Sequence, residues 1–145
     1  MVKHLTPQEA HLCVEGGQKF FVEGKLPGTF NPEVFVANWQ GFIADGRGVI
    51  IALFDDGAFG GALGALLCPD ISTGDLMAVE CFWYMLPGHR GGGIRLLFEF
   101  EKWAKEKKAL RIAMIHLTNL GETQLPLLYA RLGYEAVEVH YVKNL

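Results

Sequence analysis

The chain has 145 residues and a formal net charge of −3, with half its residues hydrophobic and a fifth charged. That argues against disorder, fits one domain over residues 1–145 and gives a nucleic-acid partner no basic footprint. Three cysteines, Cys13, Cys68 and Cys81, form no CxxC pair, which argues against a disulfide framework or zinc knuckle and fits a reducing compartment.

Met1-Val2-Lys3-His4-Leu5 runs into Thr6-Pro7-Gln8-Glu9 without the apolar stretch of a secretory signal. Thr6 is a good helix N-cap, followed by Pro7 at the first helical position and by Glu9 three residues on. This predicts a helix to about Val22, ended by Gly24, Pro27 and Gly28. A second helix starts at Asn31-Pro32, carries Val34, Phe35, Asn38, Trp39 and Phe42, and closes at Asp45-Gly46-Arg47-Gly48.

The period then changes. Val49 to Phe54 is a β-rich apolar run, Asp55-Asp56-Gly57 a turn, and Phe59 to Leu67 a partner strand weakened by its glycines. The most apolar segment, Ala58 to Cys68, is too short for a membrane span of about 20 residues, so a soluble, cytoplasmic protein without a membrane partner is expected. After a turn at Asp70 to Gly74, Leu76 to Leu86 reads as a long strand ending at Pro87-Gly88. Gly92 to Lys108 reads as a helix with Arg95, Glu99, Lys102 and Glu106 in one polar stripe. Its other faces hold Ile94, Leu97, Phe98, Phe100 and Trp103, which leaves room for a homodimer. Leu110 to Leu117 is apolar on both sides and is expected as a central strand. A helix over Gly121 to Leu132 and a last strand over Tyr134 to Val142 complete an α/β pattern. Eighteen glycines exceed the usual share of about 7%, so some backbone here turns sharply or approaches something closely.

Chemistry concentrates at Pro87-Gly88-His89-Arg90-Gly91-Gly92-Gly93-Ile94-Arg95, where a strand ends, a glycine-rich turn follows and a helix begins. Free N–H groups at a helix start, with the positive end of its dipole, suit a phosphate or pyrophosphate. No lysine followed by Ser or Thr completes a P-loop, and Leu96 stands where a dinucleotide GxGxxG needs its last glycine. The stretch instead resembles motif A of the GCN5-related N-acetyltransferases, Arg/Gln-x-x-Gly-x-Gly/Ala. Arg90 and Gly93 occupy the first two fixed positions, and Arg95 replaces the final small residue. Glu80 to Leu86 leads into Pro87 as that family's central strand leads into motif A. Leu128-Tyr129-Ala130-Arg131-Leu132-Gly133-Tyr134 is similar to its LYxxxG segment, which ends in an aromatic residue. The clear motifs cover about residues 76–145.

The resemblance implies the acyl-CoA N-acyltransferase fold, a twisted mixed sheet with helices on both faces, and acetyl-CoA as acyl donor. The pantetheine arm would run along the backbone of Met85 and Leu86, and the pyrophosphate would sit on Arg90, Gly91, Gly92, Gly93, Ile94 and Arg95. Tyr129 would protonate the departing thiolate. Glu122 stands where the family often has asparagine, and Asn119 is out of register.

A protonated amine does not attack a thioester, so the acceptor must first lose a proton, and Glu80 on the central strand is the best candidate base. A backbone N–H of that strand would face the oxyanion. The expected reaction is direct attack by a small-molecule or peptide amine, with a non-catalytic acyl-CoA-binding or protein-interaction module as the alternative. A nucleotide-binding regulator is a third reading. His89 and His116 are expected as surface or hydrogen-bonded histidines without a metal, and Cys81 as a buried structural thiol.

Overall fold

Val49 to Phe54 is apolar at nearly every position because both faces of its strand are covered. The structure, a computed structural model, describes residues 1–120 and 124–145. Among them five strands form one sheet in the order β1-β2-β3-β4-β5. They are β1 (Val2–His4), β2 (Gly48–Asp55), β3 (Ala58–Pro69), β4 (Leu76–Met85) and β5 (Arg111–Ala113). The first three pairings are antiparallel and the last is parallel. The helices are α1 (Val14–Glu23), α2 (Pro32–Ala44), α3 (Gly93–Glu106) and α4 (Gln124–Arg131).

Alternation along β2 sorts its residues between two cores. Val49, Ile51 and Leu53 face α3, which contributes Leu96, Leu97, Phe100, Trp103 and Ala104 at helical spacing. Ile50 and Ala52 face the other way, toward Phe20 of α1 and Trp39 of α2. Trp39 packs edge-on against Phe82 of β4 with ring centroids 5.4 Å apart. The mixed sheet with helices on both faces agrees with the sequence reading.

β3 forms 12 residues of strand despite its glycines. A Cβ at Gly64 would lie 2.2 Å from the Phe82 ring, so the missing side chain is the space that ring occupies. Asp56 and Gly57, at φ 47° and 82°, make the two-residue hairpin between β2 and β3.

Four expectations change. The first predicted helix divides into a 3-10 segment, Pro7–Cys13, and α1. A three-residue repeat stacks Pro7, Ala10 and Cys13 on one side, and Ala10 and Cys13 are fully buried there. Val2–His4, unassigned from sequence, adds an edge strand to β2. β5 is three residues at the sheet edge rather than a central strand from Leu110 to Leu117. Tyr134 to Val142 forms no strand. Its alternation finds no neighbouring strand among the described residues, and Val137, Val139 and Tyr141 are exposed.

Pro126 is the third residue of α4, which continues through it to Arg131. Glu122 and the expected helix start at Gly121 lie outside the described residues. Among the described residues no helix is long and apolar enough to cross a membrane.

Candidate active site

The site begins with an irregularity in β4. Ala65 of β3 pairs with Glu80 and Gly64 pairs with Phe82, so Cys81 is an extra residue, a β-bulge that bends the strand. The β4–β5 ladder ends just before it, at Val79↔Ala113. Beyond that point the two segments part, and side chains take over from the backbone ladder. The Glu80 carboxylate accepts the Ile115 N–H at 2.8 Å. The Tyr129 hydroxyl of α4 donates to the Ile115 carbonyl at 3.0 Å. Both polar groups of one peptide residue, orphaned by the split, are thereby satisfied.

Glu80 is 1% exposed, and burial pushes its carboxyl up to about 8 against the opposing pull of the Ile115 N–H. Burial, with the Glu80 charge beside it, also raises the Tyr129 phenol above its usual range. The structure therefore brings Glu80 and Tyr129 together on Ile115, a residue that sequence reading did not single out.

At the other end of β4, Leu86 does not present its backbone to the split. Its N–H donates to the Gly60 carbonyl at 2.9 Å, and its carbonyl accepts the His89 N–H at 3.0 Å. Backbone groups alternate in direction along a strand, so Met85 and Trp83 direct theirs away from β3 and into the split. Trp83 was missed because its direction depends on the β3–β4 register, which the sequence of β4 does not carry.

The glycine turn is a single 3-10 turn, Arg90–Gly92, running into α3. Within it the Gly92 N–H donates to His89 at 3.0 Å and the Gly93 N–H to Arg90. The Arg90 and Gly91 amides precede these bonds and have no acceptor within the turn. The three glycines differ in surroundings. A Cβ at Gly92 would lie 2.5 Å from Leu53, and one at Gly93 would lie 3.2 Å from Met85 and 3.4 Å from Trp83. One at Gly91 would meet nothing within 4 Å. Gly92 and Gly93 thus serve close packing, and Gly91 borders open space.

Ile94 packs into the α3 core, and Arg95 is exposed. Arg95 lines a cavity of about 220 Å³ with Asp55, His89, Gly91 and Gly92. His89 Nδ1 lies 3.6 Å from Asp55. His116, expected at the surface or hydrogen-bonded, has a buried Nε2 without a partner among the described residues. Cys81 Sγ contacts the Val79 carbonyl at 3.7 Å, and burial pushes the thiol up to about 12, in keeping with a structural thiol. Among the described residues no group of three acidic, Cys or His side chains is placed to hold a metal.

A mixed sheet opened between two parallel strands, with a glycine turn and helix start at the open end, defines the class: the chain has the fold of the GCN5-related N-acetyltransferases. No family model matches the chain, and no curated protein matches it by sequence. Among solved structures it is similar to a predicted acetyltransferase with acetyl-CoA from Clostridium acetobutylicum, at 14% identity and TM-score 0.79 over 99% of this chain and 95% of that one. A ribosomal-protein-alanine N-acetyltransferase from Brucella melitensis biovar Abortus 2308 aligns at 16% identity and TM-score 0.73, covering 100% and 99%. An aminoglycoside acetyltransferase from an uncultured soil metagenomic sample, in complex with sisomicin, aligns at 13% and 0.74, covering 100% and 95%.

Proposed function

We propose that the chain is an acetyl-CoA-dependent N-acetyltransferase acting on a primary amine by direct attack. The observation that carries the reading is the pair of backbone groups at Trp83 and Met85, which face a split that no strand among the described residues fills. An extended amide-bearing arm such as pantetheine satisfies such groups as a further strand would. The Arg90 and Gly91 amides, with the Arg90 and Arg95 guanidinium groups, suit the anionic end of the same molecule. The acetyl-CoA of the Clostridium structure and the aminoglycoside of the metagenomic one support the same pairing of donor and amine.

When bound, acetyl-CoA supplies an acetyl group on a good leaving group. The chain's residues do the rest. Met85 directs an N–H into the split, where it stabilises negative charge on a carbonyl oxygen. Glu80, held near pH 8 by burial, is matched to taking a proton from an ammonium group. Tyr129 keeps its proton and is the acid for a departing thiolate. Meanwhile its hydroxyl donates to the Ile115 carbonyl.

Thiol release from acetyl-CoA against a panel of amines tests the reading, together with calorimetry of CoA binding. CoA binding with amine-dependent thiol release is the expected result. A chain that binds CoA and releases no thiol with any amine is a binding module, and one that binds ATP or NAD but not CoA is a nucleotide-binding protein.

A further inference from the structure

The sheet face opposite Tyr129 carries a carboxylate with no part in the transfer just described. Glu23 ends α1, and its Oε1 accepts the Tyr84 hydroxyl at 2.8 Å. Tyr84 is 6% exposed and precedes Met85 on β4, so a buried ring fixes an exposed carboxylate beside the split. The α1 end is tied to the far wall as well. Asn119 Nδ2 donates to the Gly24 carbonyl at 3.3 Å, and Leu117 packs against Gly24. Glu23 therefore stands where α1 bridges the two sides of the opening.

The charges around Tyr84 are sorted. Arg90 faces the same hydroxyl and offsets part of the upward shift that burial and Glu23 impose on it. Lys19 is already paired with Glu15 at 2.7 Å. Among the described residues no basic side chain lies within ion-pair distance of Glu23. The Tyr84 phenol thus stands between Arg90, a cation suited to an anionic donor, and a carboxylate that Lys19 reaches only through its charge and that no described basic side chain pairs directly.

That cation is not the nucleophile. An amine held as an ion pair is protonated and does not attack, so the group at Glu23 is a second ammonium on the same acceptor. We infer that Glu23, fixed by Tyr84, is a specificity-determining carboxylate that selects acceptors carrying a second cationic group. The inference rests on the transferase reading.

The test compares 1,4-diaminobutane with 4-amino-1-butanol, which has one amine and a neutral end. Each is titrated calorimetrically into CoA-saturated protein and assayed by thiol release from acetyl-CoA. The wild type is expected to favour the diamine by about tenfold in affinity and in kcat/KM, the scale of one charge-assisted hydrogen bond. Glu23→Gln erases the preference through KM, leaving kcat, the aminobutanol parameters and CoA affinity unchanged. Tyr84→Phe, which keeps the ring, shifts the diamine in the same direction by less. Equal handling of the two amines by wild type, or equal losses for both in Glu23→Gln, overturns the inference and leaves the transferase reading standing. Failure of CoA to bind, or no thiol release with either amine, overturns both.

Discussion

The Glu80 carboxylate accepts the Ile115 amide at 2.8 Å, at the position where a continuous β4–β5 ladder would have placed a backbone carbonyl. A charged or protonated side chain thus does the work of main chain, and it does so fully buried. The arrangement makes stability depend on where the Glu80 proton is, and under the proposed function catalysis as well.

The stability consequence has a definite sign. Burial raises Glu80 from 4.5 to about 8 on folding. Between those values the native chain keeps a proton that the unfolded chain has released, so this group's contribution falls as pH rises through that window. The loss is at most about 1.4 kcal/mol per pH unit and levels off above the folded value. Urea unfolding at pH 5 and pH 8 is expected to show lower stability at pH 8, with Glu80→Gln flattening the difference. An equal slope in the variant would place the dependence on other groups.

Under the proposed function the glycine turn divides anion binding from packing. Gly91→Val projects into open space and is expected to weaken CoA about tenfold or more, about 1.4 kcal/mol, with little change in unfolding midpoint. Gly93→Val presses on Met85 and Trp83 and is expected to cost about 1–3 kcal/mol of stability, whatever it does to CoA. Calorimetry and denaturation of both variants check the pair. The reverse pattern would move the donor site deeper into α3.

Gly64→Ala tests the space occupied by Phe82. The added Cβ would stand 2.2 to 2.9 Å from three ring atoms, so the ring must move within the aromatic cluster it shares with Trp39 and Phe35. A loss of about 1–3 kcal/mol in denaturant unfolding is expected. Unchanged stability would mean that the cluster repacks freely.

What the sequence discloses follows how local each cause is. The α2 start was legible because Asn31 caps its own helix, accepting the Val34 N–H at 3.1 Å, with Pro32 beside it. The glycine turn was legible for the same reason. The short β5 was not, because Leu110 to Leu117 is apolar along its length, and the Cys81 bulge that turns β4 away lies on another strand. Tyr134 to Val142 has a strand's alternation without a partner, and a partner is a property of the sheet. For Glu80 and Tyr129 the positions were readable, but their meeting on Ile115 was not. Glu23 carried no signal at all: an acidic residue at a helix end is ordinary until Tyr84 is seen to hold it.

Tyr129 separates the structural role of this junction from its chemical one. Tyr129→Phe keeps the ring against Tyr134, whose centroid lies 5.6 Å away, and removes the hydroxyl that donates to Ile115. The abandoned carbonyl is expected to cost about 1–3 kcal/mol of stability. If the phenol is also the acid for the thiolate, kcat falls by about 10²–10⁴-fold while CoA affinity holds. The pH profile sharpens the division. Tyr129, raised above its usual range, stays protonated across neutral pH and contributes no limb there. A rise in kcat/KM with a midpoint at about 8 is the limb expected of Glu80 acting as base. It should persist in Tyr129→Phe at a lower rate and vanish in Glu80→Gln. Loss of stability with wild-type turnover in Tyr129→Phe would confine the tyrosine to holding Ile115 and leave the thiolate to be protonated by solvent.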